Sequence, residues 1–388
     1  MRAIALAVWL VGLGAGCEFH SAPTSSLSGS GGGDDDAGVP ADAYVPVDGP
    51  PLDSKAPAIC LGTFPQICVD PPTTDVSITQ NLDTSTAACS PFTSTAPLDA
   101  CVIAGKSITI DGGRKISVTG NKKLVLFAAT GAITISGTLD AASHSGQSGG
   151  PAADIGPCTK GTDAKPAQGG GYGGSFGGAG NNGGTGANGN GVGGIAAPAI
   201  TADALRGGCP GSDGQGQGGN RGRGGGAAYL LAKTIITIDG TVNASGAGGD
   251  AGIAGGGAGG GGSGGMIVLE APTVNVPGKC FANGGGGGGG ASGLVPGRAG
   301  GESAAPASKP AGGMGGTTNG GGFGGAGTGG NGGDGAYQPA GSLPGTTGGG
   351  NGAAQGAGGG AGGGLGVIKI FATETHNVDS SHVWPQPN

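Results

Sequence analysis

Acidic side chains are the first place to look for chemistry in this chain. Hydrolysis or elimination on a β surface needs paired carboxylates, or an acid with a basic partner, on one face. Asp111 and Asp239 occupy the same place in two similar segments, but Ser136 stands there between them and Pro277 after them. Asp140 is followed at its position by Asn243 and Phe281, with His144 four residues downstream. No position gathers acids in adjacent copies, and Asp at a strand edge ordinarily caps backbone N–H groups. Gly105-Lys106-Ser107 matches the end of a phosphate-binding loop, yet the glycine that loop requires is replaced by Ala100. Gly329-Gly330-Asn331-Gly332-Gly333-Asp334 fits the opening of a calcium-binding nonapeptide, a motif that needs tandem copies because successive turns share each ion. The expectation is a protein without catalytic residues, metal or cofactor.

Cysteine usage points to export. Of 8 Cys, Cys60 and Cys68 are close in sequence, as are Cys89 and Cys101, while Cys158 and Cys209 share one long insertion. These six are the disulfide candidates, with Cys158 and Cys209 expected to pair. Cys280 stands where neighbouring copies carry Leu139 and Val242, so it reads as a buried thiol acting as a small hydrophobe. Zinc is disfavoured, since there is no Cys-x-x-Cys and none of the 4 His lies near a cysteine cluster. A net charge of −7 argues against nucleic acid, which needs a basic surface.

The N-terminus reads as a signal peptide over 1–16, with Met1-Arg2, an apolar stretch from Ala3 to Leu13, then Gly14-Ala15-Gly16 before Cys17. Small residues followed by Cys resemble a bacterial lipobox, which implies lipidation of Cys17 and a membrane partner through that anchor. The pattern departs from the lipobox in having Gly14 where Leu is usual. Residues 17–56, acidic and Pro-rich, lack apolar periodicity and read as a solvated tether. No later apolar run approaches the length of a membrane-spanning helix.

The elements that must position all of these are short strands. Ile108-x-Ile110, Ile133-x-Ile135, Ile236-x-Ile238 and Val274-x-Val276 each end two residues before a Gly. Beyond it, Leu139, Val242 and Cys280 share one position, and Ala141, Ala244 and Ala282 the next apolar one. Upstream, Phe127, Leu230, Leu269 and Ile370 each stand two residues before Ala, and a partial fifth copy runs through Ile368, Ile370 and Val378. Period-2 alternation marks strands with one buried face, and recurrence of whole units marks stacking. The predicted fold class is all-β: a short parallel β-helix of about five coils spanning 101–388, preceded by a Cys-containing cap over 57–100. An antiparallel sandwich is the competing architecture.

Glycine-rich insertions over 142–226, 246–265 and 284–365 interrupt the repeats, carrying most of the chain's 102 Gly. Fixing backbone costs ~1–2 kcal/mol per residue, so ordering either long insertion costs on the order of 100 kcal/mol with few side chains to offset it. Either these loops stay mobile, or adjacent extended segments satisfy one another's backbone groups in polyglycine-II-like bundles. Phe176 and Phe323 sit in matching Phe-Gly-Gly-Ala-Gly stretches, with Tyr172 and Tyr337 nearby. These four are candidate surface-contact aromatics for glycans or other envelope proteins; the alternative is that they anchor their own loops.

The strand unit from Leu230 to Gly246 looks like a coil of exported filamentous-haemagglutinin-type β-helices. The glycine blocks are similar to those of PE-PGRS proteins, and the whole resembles glycine-rich bacterial envelope lipoproteins. The resemblance implies surface display with a structural or adhesive role and supplies no catalytic residues. Alternatives are a carbohydrate-active or glycan-binding β-helix and a calcium-dependent surface-layer component.

Overall fold

The computed structural model describes residues 56–387, apart from 190, 319–326, 339 and 351–354. The chain opens with β1 (Ile59–Leu61), β2 (Ile67–Val69), β3 (Val76–Ser77), β4 (Leu82–Asp83) and β5 (Phe92–Ser94). Successive rounds follow: β6 (Ala100–Gly105), β7 (Ile108–Ile110) and β8 (Lys115–Thr119), then β9 (Lys123–Ala128), β10 (Ile133–Ile135) and β11 (Thr138–Asp140). The next comprise β12 (Ala227–Ala232), β13 (Ile235–Ile238) and β14 (Thr241–Asn243), then β15 (Met266–Val276) and β16 (Lys279–Phe281). After the short β17 (Thr317–Thr318), β18 (Gly327–Thr328) and β19 (Gly349–Gly350), the chain ends with β20 (Val367–Val378) and β21 (Val383–Trp384).

The protein is all-β, and the strands of successive rounds stack in three parallel columns. The first column comprises β6, β9, β12 and the leading halves of β15 and β20. The second holds β3, β7, β10, β13 and the trailing halves of β15 and β20. The third holds β4, β8, β11, β14, β16 and β21. The columns close on one apolar interior in a nearly barrel-like arrangement. Ile133 pairs with Ile108 and Ile236, and Ile236 with Val274, so equivalent residues stack directly. Leu139, Val242, Cys280 and Val383 form the facing row, with Cys280 a fully buried free thiol. Truncating one such buried Ile or Leu to Ala costs ~2–5 kcal/mol.

Three expectations change. Leu126, not Phe127, pairs with Leu230, and Phe127 pairs with Leu231. A slip of one residue moves a strand's side chains to the opposite face. Leu126 and Ala128 therefore enter the interior, while Phe127 joins Val125, Tyr229 and Val268 in a second apolar cluster outside the first column. The parallel columns also begin at Val76 and Leu82, inside the segment read as a separate cap. What remains of that cap is the antiparallel sheet β1-β2-β5, whose Ile67 and Val69 cover the outer cluster. Finally, β21 extends the last round beyond Val378, because Val383 pairs with Cys280.

The insertions all leave from the end of the third column, where polar residues replace apolar ones. Ser143 N–H bonds the Ser245 carbonyl, and Ser245 Oγ accepts the Asn283 N–H at 3.1 Å. Beyond this ladder the glycine segments bond to one another. Ala258, Gly261 and Gly264 donate to Gly358, Ala361 and Gly364 in the third insertion. Gly257, Gly260 and Ser263 donate to Gln215, Ser212 and Cys209 in the first. Gly259, Gly262 and Gly265 donate to Asp250, Ala247 and Ala244. Each segment thus meets the same neighbour every third residue, the repeat of an extended polyproline-II helix. The approach is too close for side chains: a Cβ at Gly260 would overlap the Tyr172 carbonyl oxygen. The described residues of the insertions form a hydrogen-bonded bundle rather than separate loops, which meets the entropic objection through backbone groups instead of side chains.

Candidate functional site

A polar recess lies where the insertions leave the strands. It encloses about 580 Å³ and is lined by His144, Asp154, Asp213, Arg221, Arg223 and Asp250 among others. Strand β11 places Asp140 beneath it, buried, and the chain turns within four residues to bring His144 back over that carboxylate. His144 Nε2 lies 3.1 Å from Asp140, and Nδ1 lies 2.6 Å from Glu302 of the third insertion. Lys115 Nζ adds a 2.8 Å ion pair to Asp140, whose other oxygen accepts from Asn243 Nδ2 at 3.2 Å. The N–H of Ser145 bonds Glu302, and Ser145 Oγ donates to Gly248 of the second insertion at 2.9 Å. This cluster therefore ties β11 and the roots of the first two insertions to Glu302 within the third.

The electrostatics fix what this cluster can do. Hydrogen bonds to Asp140 and Glu302 outweigh burial and raise the His144 pKa to about 10. Burial alone would raise the Asp140 pKa, but His144 and Lys115 together bring it below the usual carboxylate value. Glu302 is likewise lowered: burial is outweighed by His144 and the Ser145 N–H. At neutral pH these shifts favour an imidazolium between two carboxylates. Elsewhere in the recess Arg223 lies 3.8 Å from Asp154, Arg221 lies 3.7 Å from Asp213, and Asn220 Nδ2 donates to Asp250 at 3.0 Å. Burial raises the Asp154 pKa against the pull of the Gly224 N–H and the two arginines. The result is a concave surface lined by guanidinium, carboxylate and amide groups.

Sequence reasoning weighed Asp140 and His144 and gave them no role, and it missed Glu302, which lies 158 residues from His144 along the chain. No local spacing carries that signal. The calcium-like turn is committed otherwise: Asp334 pairs with Lys309 at 3.1 Å and accepts the Gly312 N–H, while Asn331 accepts the Gly315 N–H. Among the described residues no group of three or more His, Cys, Asp or Glu is placed to hold a metal ion.

The structure pairs Cys60 with Cys68, Cys89 with Cys101, and Cys158 with Cys209. Cys17 and Phe323 lie outside the described residues. Tyr172 and Phe176 are buried, so the reading of these two as surface-contact aromatics is corrected. Phe176 belongs to the outer apolar cluster, with the Arg206 guanidinium 5.0 Å from its ring centroid. Arg206 also reaches the Cys158 and Cys209 sulfurs at 3.2 and 3.3 Å and the Pro157 carbonyl at 3.3 Å. Ring, guanidinium and disulfide, together with Ala202 and Leu205 of the same insertion in that cluster, clamp the first insertion onto the first column. Tyr337 is half-buried in a turn closed by its N–H on the Ala340 carbonyl.

Comparison with family models, curated proteins and solved structures returned no match.

Proposed function

We propose that this chain is an exported, lipid-anchored cell-envelope protein with a structural or adhesive, non-catalytic role. Its three parallel columns are read as the faces of a short β-helix of about five coils, and its insertions as a polyglycine-II-like bundle. The observation that carries this reading is the bundle itself, in which three insertions are joined by main-chain bonds repeating every third residue. Such a bundle needs few side chains and gives a stiff projection from the strands, suited to presenting its turns outward. Those turns expose Leu294 at 89% and Ile253 at 52%, and exposed apolar side chains at projecting tips favour contact with another surface. The saturated Asp140–His144–Glu302 cluster fits a fastening role better than an acid–base one. The three disulfides accord with an oxidising compartment.

The test is a comparison of the full chain with its Cys17→Ser variant in a lipoprotein-processing host. Membrane fractionation and labelling by a fatty-acid analogue should both be lost in the variant. An unlabelled parent protein that fractionates unchanged would remove the anchor and with it the envelope assignment.

A second reading, glycan binding, is favoured by the polar recess, whose 580 Å³ and mixed guanidinium, carboxylate and amide lining suit a polyhydroxylated ligand. Its test is a glycan array probed with the full chain and with Arg221→Ala.

A further inference from the structure

Strand β15 carries one acid in an otherwise apolar outward row. Across the first column Phe127, Leu231, Glu270 and Phe371 are successive register partners, so Glu270 sits between Leu231 and Phe371. It is 9% exposed. Thr63 Oγ1 donates to one carboxylate oxygen at 2.8 Å, and the Tyr229 hydroxyl donates to the other. The backbone of Thr63 and Phe64 also faces the Tyr229 oxygen, whose proton goes to Glu270. With a hydroxyl on each oxygen, Glu270 is used as an acceptor only. Among the described residues, no Lys, Arg or His nitrogen forms an ion pair with it within 4.0 Å.

This carboxylate opens onto a cavity of about 500 Å³ between the β1–β2 turn and the corner of the last rounds. Leu61, Leu231, Pro272 and Phe371 give it apolar walls, and Lys233 stands exposed on its rim. Phe371 stacks on Phe64 with centroids 5.9 Å apart, and Lys369 Nζ lies 5.0 Å from the Phe64 centroid, so this aromatic pair already faces one cation. The volume suits a small organic ligand. A buried carboxylate held by two neutral donors and no ion pair lacks the charged partner that would offset its desolvation more fully. A neutral apolar ligand would leave that deficit in place, and an anion would worsen it.

We propose that the cavity beside Glu270 is a binding site for a small organic cation with an apolar body, its ammonium group on the Glu270 carboxylate and its body against Leu231 and Phe371. This goes beyond the envelope role and does not depend on it.

Isothermal titration of the full, oxidised chain with three probes of matched size tests the idea: 2-phenylethylammonium, 2-phenylethanol and 3-phenylpropanoate. The ammonium should bind saturably and at least about tenfold more tightly than the alcohol, as expected for a hydrogen bond to a charged group, with the carboxylate weakest. Glu270→Gln should bring ammonium and alcohol to equal affinity, whereas Asp250→Asn, in the polar recess, should leave the order intact. Equal affinities in the parent chain, absence of ammonium binding, or loss of discrimination in Asp250→Asn would each overturn the proposal. Because the three-probe comparison uses the parent chain, it decides the matter even if Glu270→Gln fails to fold.

Discussion

His144 donates to both carboxylates at once only while it is protonated, so its titration should be visible in stability. Its folded pKa of about 10 lies above the ordinary 6.5. The stabilisation is therefore complete below about pH 6.5 and is lost as pH rises through about 10. Asp140 and Glu302 act in the opposite sense: their pKa values are lowered, so their contribution holds above the ordinary 3.8 and 4.5 and is lost on acidification. The melting temperature is expected to decline steadily from pH 7 to pH 9, and His144→Gln should flatten that decline. An equal slope in the variant would mean that another group is responsible. Cys280 offers a separate check. Burial raises its thiol pKa, and the side chain is fully enclosed, so native protein should resist alkylation there and react only after denaturation. A linked peptide containing Cys280 would break the row in which it stacks with Val242 and Val383.

The strands and the glycine segments obey opposite packing rules, and a single substitution can tell them apart. A Cβ at Gly260 overlaps the Tyr172 carbonyl, whereas a Cβ at Gly112 meets nothing within 4 Å. Gly260→Ala should destabilise by ~1–3 kcal/mol, the range for overpacking a filled interior. Gly112→Ala should be neutral or stabilising by up to ~1 kcal/mol, through reduced freedom of the unfolded chain. Chemical denaturation of both variants gives the comparison, and a matching loss at the two positions would argue against close backbone packing in the insertions. The strand register was legible in the sequence because Ile, Val and Leu recur at fixed offsets, as in Ile110, Ile135 and Ile238. It failed at Phe127 because both Leu126 and Phe127 are apolar, and only the two-sided burial of the first column explains that. Glu302 and Glu270 were invisible for another reason: their partners are 158 and 41 residues away in sequence, and the intervening glycine has no pattern that fixes where it returns.

At the scale of the whole molecule, strands and bundle are joined yet draw stability from different sources. The interior between the columns is made of side chains such as Ile135, Leu230, Ile238 and Ile267, none of which comes from an insertion. The bundle depends on main-chain bonds that cross between insertions, with Gly249 and Gly252 donating to Gly286 and Gly289, and Ala258, Gly261 and Gly264 to Gly358, Ala361 and Gly364. Deleting 287–362 removes the acceptors at Gly289, Gly358 and Ala361 along with Glu302, the anchor on His144. It leaves the strand pairs of the three columns intact, and shortening a connection changes closure entropy only slowly. The deletion should therefore keep a cooperative β-sheet transition while amide exchange speeds up across 246–265, where backbone groups lose partners. Ile238→Asp should do the reverse, since an unpaired carboxylate in that interior costs more than a domain's usual margin of ~5–15 kcal/mol. Exchange mapping and β-sheet circular dichroism on both variants separate the two layers. Global unfolding of the deletion, with Ile238→Asp still folded, would mean that the glycine bundle supports the strands rather than resting on them.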